Sequence, residues 1–339
     1  MTNKYSLSII IPAYNSEKII NDCLKKILEE TKKIKSEIIV VDDKSTDRTI
    51  KIVKKFKKIK LIKLKKNKGV GNARNQGADK AKHENLCFID SDIIISKNSI
   101  HNLLKRFNKN KNVGSVSATQ NTINLNKDNW TSNFVCLKSC YGTDSIKTEK
   151  NFSSISSEFC IISKKLFNKV GKWKALYGAG GEEFDLGYKI RQLNKKNIKL
   201  KSAGYSGFWC GLKERSKRII SRTEKYIPIL LKKKNFDSKG TFATAGQAFS
   251  SFLTLLMLFT LIFNFIFKYD YLALTLFILI VVQLILEINF LIFAYKKYKL
   301  KMLLFSLFGI QIINLSIILG GFLFVLKNTF GLFFYYHAK

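Results

Sequence analysis

Proline is scarce in this chain, and the cysteines lack the spacing of a metal-binding or redox motif. The 339 residues include two prolines, so no proline-rich linker separates domains. None of the six cysteines forms a CxxC pair, and we expect reduced thiols of a cytosolic domain without a metal cluster. The start, MTNKYSLSIIIPAYN, has an apolar core of about five residues before Pro12, shorter than the apolar region of a signal peptide. We therefore expect the N-terminal part to stay in the cytosol.

Acidic residues are also few. Lysine and arginine number 59 against 24 aspartates and glutamates, which gives a formal net charge of +35. So basic a balance is typical of proteins that bind nucleic acid, an anionic membrane surface or phosphate-bearing ligands. The lysines are spread along the whole chain, however, and no zinc-finger, helix-turn-helix or RNA-recognition pattern is found. We therefore expect no nucleic-acid partner.

Long apolar runs begin only after Gly240. Three stretches follow closely on one another, at about 242–267, 271–294 and 303–326. Each exceeds the roughly 20 residues that span a bilayer, and the first and third carry no charge. The sequence therefore predicts three transmembrane helices and contact with membrane lipids.

The basic residues around these stretches predict their orientation. Lysines precede the first stretch and fill the loop between the second and third, namely Lys232, Lys233, Lys234, Lys239, Lys296, Lys297, Lys299 and Lys301. The loop between the first and second stretches holds only Lys268 and Asp270 as charged residues. Because basic loops stay on the cytoplasmic side, we expect a cytosolic N-terminal domain and a C-terminus outside. The expected location is a bacterial inner (plasma) membrane.

The segment before the apolar stretches combines basic and apolar residues. From Glu214 to Lys234 the sequence predicts an amphipathic helix at the level of the lipid headgroups, broken or kinked at Pro228. A solvated basic helix is the alternative. The predicted domains are a catalytic domain at 1–212, an interfacial helix or linker at 213–240 and a membrane region at 241–339.

One carboxylate, Glu287, falls inside the second apolar stretch. An ionisable residue within a membrane segment is a candidate functional residue, because burying its charge in lipid is costly. The alternative is a carboxylate that pairs with a neighbouring helix, or with water near the cytosolic end.

Before Gly240 the chain alternates short β-rich runs with helical stretches, which predicts an α/β fold with βαβ units and a mostly parallel sheet. The predicted strands are Leu7–Ile11, Glu37–Val41, Lys60–Leu64 and Leu86–Asp90. The predicted helices begin near Ser16, Ser45, Val70 and Lys97.

Polar side chains follow three of these strands. They are Asn15, Asp42, Asp43, Asp90 and Asp92. In parallel sheets ligands bind just beyond the carboxyl ends of the strands, so these loops should meet at one edge. A single aspartate in such a loop can be a helix cap or a turn residue. Three such loops converging on one edge favour a binding site.

Asp90 and Asp92 interrupt the apolar run LCFIDSDIII, where a buried charge needs compensation. Two carboxylates at a strand end can hold a divalent cation that bridges two phosphates, and hard oxygen ligands suit Mg²⁺ or Mn²⁺. The pattern therefore predicts a metal site at Asp90 and Asp92.

Five motifs in this order and spacing resemble the family-2 glycosyltransferases. They are SIIIPAYN, EIIVVDDKSTDRT, GVGNARNQGAD, FIDSDI and GAGGEEFDLGYKIR, and together they span about Leu7 to Gly211. The resemblance implies the glycosyltransferase A-type fold with its Rossmann-like sheet, a nucleotide-sugar donor and transfer with inversion at the anomeric carbon.

The resemblance also implies roles for individual residues. Donor contacts fall on Pro12, Tyr14, Asn15, Asp42, Asp43, Arg74, Asp90 and Ser91, with the metal on Asp90 and Asp92. Asp42 or Asp43 would contact the base and ribose, and Arg74 the diphosphate. The last motif usually reads Glu-Asp, and its second acid is the catalytic base. Here it reads Glu182-Glu183, which assigns the base to Glu183 with a side chain one methylene longer, or else to Glu182.

We expect a metal-dependent glycosyltransferase that acts on a lipid-linked or membrane-proximal glycan acceptor in cell-surface polysaccharide or glycolipid synthesis. Transfer of a sugar to a polyprenyl phosphate is the alternative, since a phosphate oxygen needs little help from a base. A non-catalytic membrane scaffold with a nucleotide-binding domain is an alternative of another class.

Overall fold

The structure is a computed structural model that describes residues 6–127, 129–174, 181–233 and 245–337. The chain divides into two compact units. One comprises Met1–Leu125 and Thr143–Phe208, and the other comprises Asn126–Gly142 and Trp209–Lys339. In the following these are the sheet unit and the helical unit.

The sheet unit contains strands and helices in alternation. Its strands are β1 (Ser6–Ala13), β2 (Lys35–Asp42), β3 (Ile59–Lys63), β4 (Asn85–Ile89), β5 (Ile93–Ile95), β6 (Val113–Asn124), β7 (Glu149–Phe152), β8 (Phe159–Ser163) and β9 (Lys196–Gly207). Its helices are α1 (Ile20–Thr31), α2 (Thr49–Val53), α3 (Val70–Asp79), α4 (Ser99–Phe107), α6 (Lys164–Lys169) and α7 (Glu182–Gln192). Helix α5 (Thr131–Asp144) begins in the helical unit and ends in the sheet unit.

All of these strands belong to one sheet, in the order β3-β2-β1-β4-β8-β6-β9-β5, with β7 paired to β9. Strands β1 to β4 pair in parallel, and β6 pairs in parallel with β9. Strands β8, β5 and β7 pair antiparallel to their neighbours. Six of the nine described strands therefore run in one direction, which confirms the predicted α/β fold with a mostly parallel sheet.

The apolar runs form strands because both faces of the sheet are covered. Along β1, Leu7, Ile9 and Ile11 face one buried cluster, whereas Ile10 faces another. The first cluster includes apolar residues of α1, α2 and α4, and the second includes residues of α3, α6 and α7. Strands buried on both faces are rich in β-branched residues without polar alternation, which is the pattern that made β1, β2 and β4 recognisable.

The helical unit contains α8 (Leu212–Lys233), α9 (Ala245–Phe267) and α10 (Asp270–His337), together with the first part of α5. Among the described residues, two helices are long and apolar enough to cross a membrane, α9 and α10. Helix α10 includes both the second and the third predicted stretch. Its backbone leaves helical geometry at Tyr298 and Lys299, where Lys299 has φ 61° and ψ −159°. The number of membrane crossings stays a prediction.

Within the helical unit, α5 packs on α10 through aromatic contacts. Phe134 lies edge-on to Phe290 and Phe305, with ring centroids 6.0 and 5.6 Å apart. Gly309 faces the Phe134 ring so closely that a Cβ there would lie 2.7 Å from it. The absence of a side chain at this position thus allows the ring to sit on the α10 backbone.

Glu287 of α10 pairs with Lys138 of α5. The Lys138 Nζ lies 2.8 Å from a Glu287 carboxylate oxygen, and each side chain is only 10% exposed. The same ammonium lies 4.5 Å from the centre of the Phe290 ring. Because these contacts compensate the charge, they support the interpretation of Glu287 as the partner of a neighbouring helix.

A second polar cluster joins α9 to both parts of α10. Asn314 donates to the Ser250 and Thr254 hydroxyls at 3.0 and 2.9 Å, and Gln247 donates to the Asn314 side-chain oxygen at 2.6 Å. Gln283 donates to the Thr254 hydroxyl at 2.9 Å and accepts from the Gln311 amide at 2.6 Å. The side chains thus satisfy one another, as polar groups between apolar helices must.

Candidate active site

The loops after β1 and β2 are joined by hydrogen bonds. The Asp43 amide donates to the Ala13 carbonyl at 2.8 Å, and the Asn15 side-chain oxygen accepts from the Thr46 amide at 2.8 Å. Pro12 is buried within β1, whereas Tyr14 is 50% exposed. Tyr14 therefore presents an aromatic surface at the carboxyl edge of the sheet, while the Asn15 oxygen stabilises the neighbouring loop.

The two aspartates at the carboxyl end of β2, Asp42 and Asp43, have different surroundings. Both oxygens of Asp43 accept from backbone amides, those of Lys68 at 3.0 Å and Gly69 at 2.8 Å. One oxygen of Asp42 accepts from the Ser45 amide at 3.1 Å, and the other is buried without a partner among the described residues. Gly69 has φ 88°, a left-handed conformation that suits glycine, and begins the turn before α3. Asp43 thus holds this turn, and Asp42 retains an acceptor oxygen for a ligand.

Arg74 compensates the charge of Asp90. Its guanidinium, 1% exposed, lies 2.6 Å from the Asp90 carboxylate and 3.7 Å from the Glu182 carboxylate. Burial raises the pKa of Asp90, although Arg74 counteracts this. Burial also lowers the pKa of Arg74, but Asp90, Glu182 and Glu183 outweigh it and raise that pKa overall. The side chain that we predicted to contact the diphosphate therefore joins the FIDSDI motif to the start of α7.

The other two residues of the FIDSDI loop differ in exposure. Ser91 is buried and its hydroxyl lies 2.8 Å from that of Ser16. Asp92 is exposed, and its backbone carbonyl accepts from the Phe208 amide at 2.9 Å. The loop is therefore held by its backbone and by Ser91, which leaves the Asp92 carboxylate at the surface.

The carboxylates of this loop fit a divalent cation of the predicted kind. Mg²⁺ is usually bound by one or two carboxylates and completes its coordination with water and substrate phosphates. Asp92 is exposed, and the hydrogen bond from Arg74 goes to one of the two Asp90 carboxylate oxygens. Within the described residues, however, no three His, Cys, Asp or Glu side chains form a ready metal-binding group. A cation here would thus depend on ligands from outside the protein.

Glu182 and Glu183 begin α7 and point to different partners. Glu182 is 3% exposed and lies near Arg74. Glu183 is half-buried, and one of its carboxylate oxygens accepts from the Ser157 amide at 3.1 Å and from the Ser157 hydroxyl. The geometry therefore leaves the Glu183 carboxylate more accessible than that of Glu182.

Two further residues of this region, Glu158 and Tyr205, had no signal in the sequence. The Tyr205 hydroxyl donates to the Glu158 carboxylate, and the Glu158 carbonyl accepts from the Asp90 amide at 2.9 Å. Burial raises the pKa of Glu158, and the nearby Glu183 raises it further. Burial and Glu158 raise the pKa of Tyr205 well above its ordinary value. Both residues become recognisable only when β8 and β9 are placed in the sheet.

The matched motifs and the sheet agree with a known family. Residues 8–171 match the family model described as "Glycosyl transferase family 2". The match covers just under half of the chain and supports the resemblance to glycosyl transferase family 2. The predicted recognition is therefore confirmed, and the fold is the A-type fold of glycosyltransferases.

Two curated proteins with similar sequences are named as a glucosyltransferase and a synthase. The poly(ribitol-phosphate) beta-glucosyltransferase of Bacillus spizizenii is 38% identical over 111 residues, which are 31% of this chain and 17% of the relative. The poly-beta-1,6-N-acetyl-D-glucosamine synthase of Staphylococcus epidermidis is 26% identical over 174 residues, 49% of this chain and 42% of the relative. The chain thus spans less than half the length of these curated relatives.

A solved structure shares the fold over nearly the whole chain. The mannosyltransferase PcManGT from Pyrobaculum calidifontis, in complex with GDP-Man and Mn²⁺, superposes with a TM-score of 0.57 at 15% identity. The match covers 94% of this chain and 86% of that protein. At this level of identity, the comparison establishes the fold that the two share.

Proposed function

We propose that this protein transfers a sugar from a nucleotide-sugar donor, with inversion, to a hydroxyl of a lipid-linked or membrane-proximal glycan acceptor. The product would contribute to a cell-surface polysaccharide or glycolipid. The observation that carries the proposal is the group formed by Asp90, Arg74, Glu182 and Glu183, in which the FIDSDI loop and the start of α7 meet. The curated relatives, named as a poly(ribitol-phosphate) beta-glucosyltransferase and a poly-beta-1,6-N-acetyl-D-glucosamine synthase, support this class of reaction.

Donor binding rests on the loops at the carboxyl edge of β1 and β2. A buried carboxylate oxygen without a partner is costly, so Asp42 is suited to accept from an N–H or O–H group of the nucleoside. Tyr14 offers an exposed ring on which a base can stack. Pro12, Asn15, Asp43 and Ser91 support these loops, and so position the donor indirectly.

Asp92, together with Asp90, would hold a Mg²⁺ or Mn²⁺ ion beside the donor phosphates. The charges support this assignment, because three carboxylates, those of Asp90, Glu182 and Glu183, share the single positive charge of Arg74. A divalent cation would compensate the excess negative charge. When bound, such an ion stabilises the negative charge of the departing nucleoside diphosphate. The protein itself contributes a fixed loop, in which Ser91 and the Asp92 carbonyl are anchored.

Glu183 is the proposed base. A hydroxyl that attacks the anomeric carbon must lose its proton as the new bond forms, and one positioned carboxylate can accept it. Because Glu182 is buried near Arg74, its carboxylate serves to hold the start of α7. Inversion needs no covalent intermediate, so no enzyme nucleophile is required.

The helical unit supports the proposed class of acceptor. We place α9 and α10 in a bacterial inner membrane, with the sheet unit in the cytosol and the C-terminus outside. Lysines on one side of the apolar segments support this orientation. An enzyme anchored in this way meets acceptors at the membrane surface more readily than soluble ones.

The test is mass spectrometry of the products formed by the purified full chain in lipid, given a panel of nucleotide sugars and a lipid extract. We expect one sugar to be added to an extracted lipid-linked glycan, with loss of activity in chelator and its return with Mg²⁺ or Mn²⁺. Glu183→Gln should lower turnover by about a hundred- to ten-thousandfold, the usual contribution of a general base. Glu182→Gln should lower turnover by a smaller factor.

Three results would contradict parts of the proposal. Full activity in chelator would exclude the metal. Near-normal turnover in both Gln variants, with a sugar-phosphate lipid as the product, would favour transfer to a polyprenyl phosphate. A wild-type chain that neither transfers nor hydrolyses any donor would favour a non-catalytic scaffold.

A further inference from the structure

The loop that precedes β8 holds the first turn of α7 by three separate contacts. The Ile155 amide donates to the Glu183 carbonyl at 3.3 Å. The Ser157 amide and hydroxyl both donate to the same oxygen of the Glu183 carboxylate. One turn further along α7, a Cβ on Gly187 would lie 2.5 Å from the Ser153 carbonyl oxygen, so the two backbones are in direct contact.

The same loop is also fixed on the donor side. The residue after Ser157 is Glu158, whose carbonyl accepts from the Asp90 amide. Ser157 is 4% exposed, and the Ser156 amide donates to the Ser117 hydroxyl oxygen at 3.1 Å. Two consecutive residues, Ser157 and Glu158, therefore connect the α7 carboxylate with the FIDSDI loop, and the residue before them, Ser156, is tied to β6 through Ser117.

From these contacts we infer that Ser157 is a positioning residue for Glu183, an inference that rests on the proposed function. Both hydrogen bonds go to one carboxylate oxygen, Oε1, so Oε2 remains to accept the proton of the acceptor hydroxyl. A glutamate has one more rotatable bond than the aspartate usual in this motif, and its carboxylate can occupy more positions. The two hydrogen bonds from Ser157 to one carboxylate oxygen restrict the carboxylate to fewer of these positions.

The inference makes Ser157 and Glu183 a matched pair. A carboxylate shortened by one methylene cannot both reach Ser157 and keep its place at the acceptor. Glu183→Asp should therefore lose turnover, although it restores the residue type usual in the family. In this variant the Ser157 hydroxyl should no longer affect turnover, because its hydrogen bond to the carboxylate at position 183 is already lost.

The experiment compares kcat and the donor KM in full-length variants in lipid. Ser157→Ala keeps the backbone hydrogen bond and should lower kcat by about ten- to hundredfold, as expected for a misplaced catalytic group. The donor KM should change less than about twofold, because Ser157 acts on the base and not on the donor. Ser157→Thr retains the hydroxyl and should restore most of kcat. Ser156→Ala is the matched control, since it removes a neighbouring buried hydroxyl and should leave both constants near wild type.

The double variant Ser157→Ala, Glu183→Asp should be no slower than Glu183→Asp alone, within about twofold, if the two residues act as one unit. Three outcomes would overturn the inference while the proposed function stands. They are an unchanged kcat in Ser157→Ala, a Ser157→Thr variant as slow as Ser157→Ala, and equal losses in Ser157→Ala and Ser156→Ala. A wild-type chain that transfers no sugar would instead overturn the proposed function, and the inference with it.

Discussion

Arg74 shows how a single buried cation can organise several acids. It is almost fully enclosed, yet it faces carboxylates from the FIDSDI loop and from α7. It also lies 5.3 Å from the centre of the Trp173 ring, which shields it from water. A buried ion pair contributes less to stability than its Coulomb energy suggests, but removing one partner leaves an uncompensated charge. Arg74 should therefore matter for folding as well as for activity.

Arg74→Met tests this role. Leaving Asp90 and Glu182 without their cation should destabilise the protein by about 3–5 kcal/mol. Arg48→Met is the matched control, since the Arg48 side chain is 78% exposed and its ion pair with Glu17 should contribute little to stability. Thermal unfolding of the two purified variants in detergent measures the difference. Equal unfolding temperatures for the two variants would show that Arg74 is not an essential partner of these acids.

The residues of the site were only partly predictable. Asp42, Asp43, Asp90 and Asp92 could be found because each follows a recognisable buried strand. Their individual surroundings could not, because the amides that saturate Asp43 come from a turn 25 residues away. Nor does the sequence reveal the partners of Arg74, since these depend on how α3 and α7 pack on the sheet.

Among the strands and helices, those marked by a local sequence pattern could be predicted, and those defined by distant pairings could not. Strands β1, β2, β3 and β4 and the start of α3 are marked by local patterns, and the structure has them within a few residues of the predicted positions. Strand β9 is different, because it pairs in parallel with β6 and antiparallel with β5 and β7. Pairings between distant segments produce no periodic pattern in the sequence. The pairings of β5, β6, β7 and β9 were therefore known only from the structure.

Two adjacent glycines in α10 give a test at this scale. A Cβ on Gly320 would lie 2.7 Å from the Ile220 carbonyl oxygen of α8, whereas the nearest atom to a Cβ on Gly321 is 3.9 Å away. Gly320→Ala should force α8 and α10 apart and cost about 1–3 kcal/mol, as overpacking does. Gly321→Ala should be neutral or stabilise the helix, because alanine favours helix over glycine by about 1 kcal/mol.

Thermal unfolding of the two purified variants decides the question. The prediction requires a lower unfolding temperature for Gly320→Ala than for Gly321→Ala. The reverse order would mean that α8 does not contact α10 at this glycine.

For the whole molecule, the distribution of lysines makes a prediction about topology. The break in α10 at Tyr298 and Lys299 lies in the lysine-rich segment between the second and third predicted stretches. If this break is a turn on the cytosolic side, a reporter inserted beside Lys299 should be labelled in the cytosol, and one fused after Lys339 should be labelled outside. Opposite labelling of the two reporters would reverse the orientation and move the sheet unit out of the cytosol.

The polar side chains shared by α9 and α10 have a consequence for biogenesis. The Gln247 amide on α9 finds its partner 67 residues later, at Asn314. If α9 lies in a bilayer, as we propose, it is synthesised well before the Asn314 side chain that pairs with Gln247, and unsatisfied polar groups in lipid cost several kcal/mol each. A chain that stops before Asn314 would present this unfinished surface to the bilayer. At the proposed membrane location, truncated chains would therefore be less stable than complete ones.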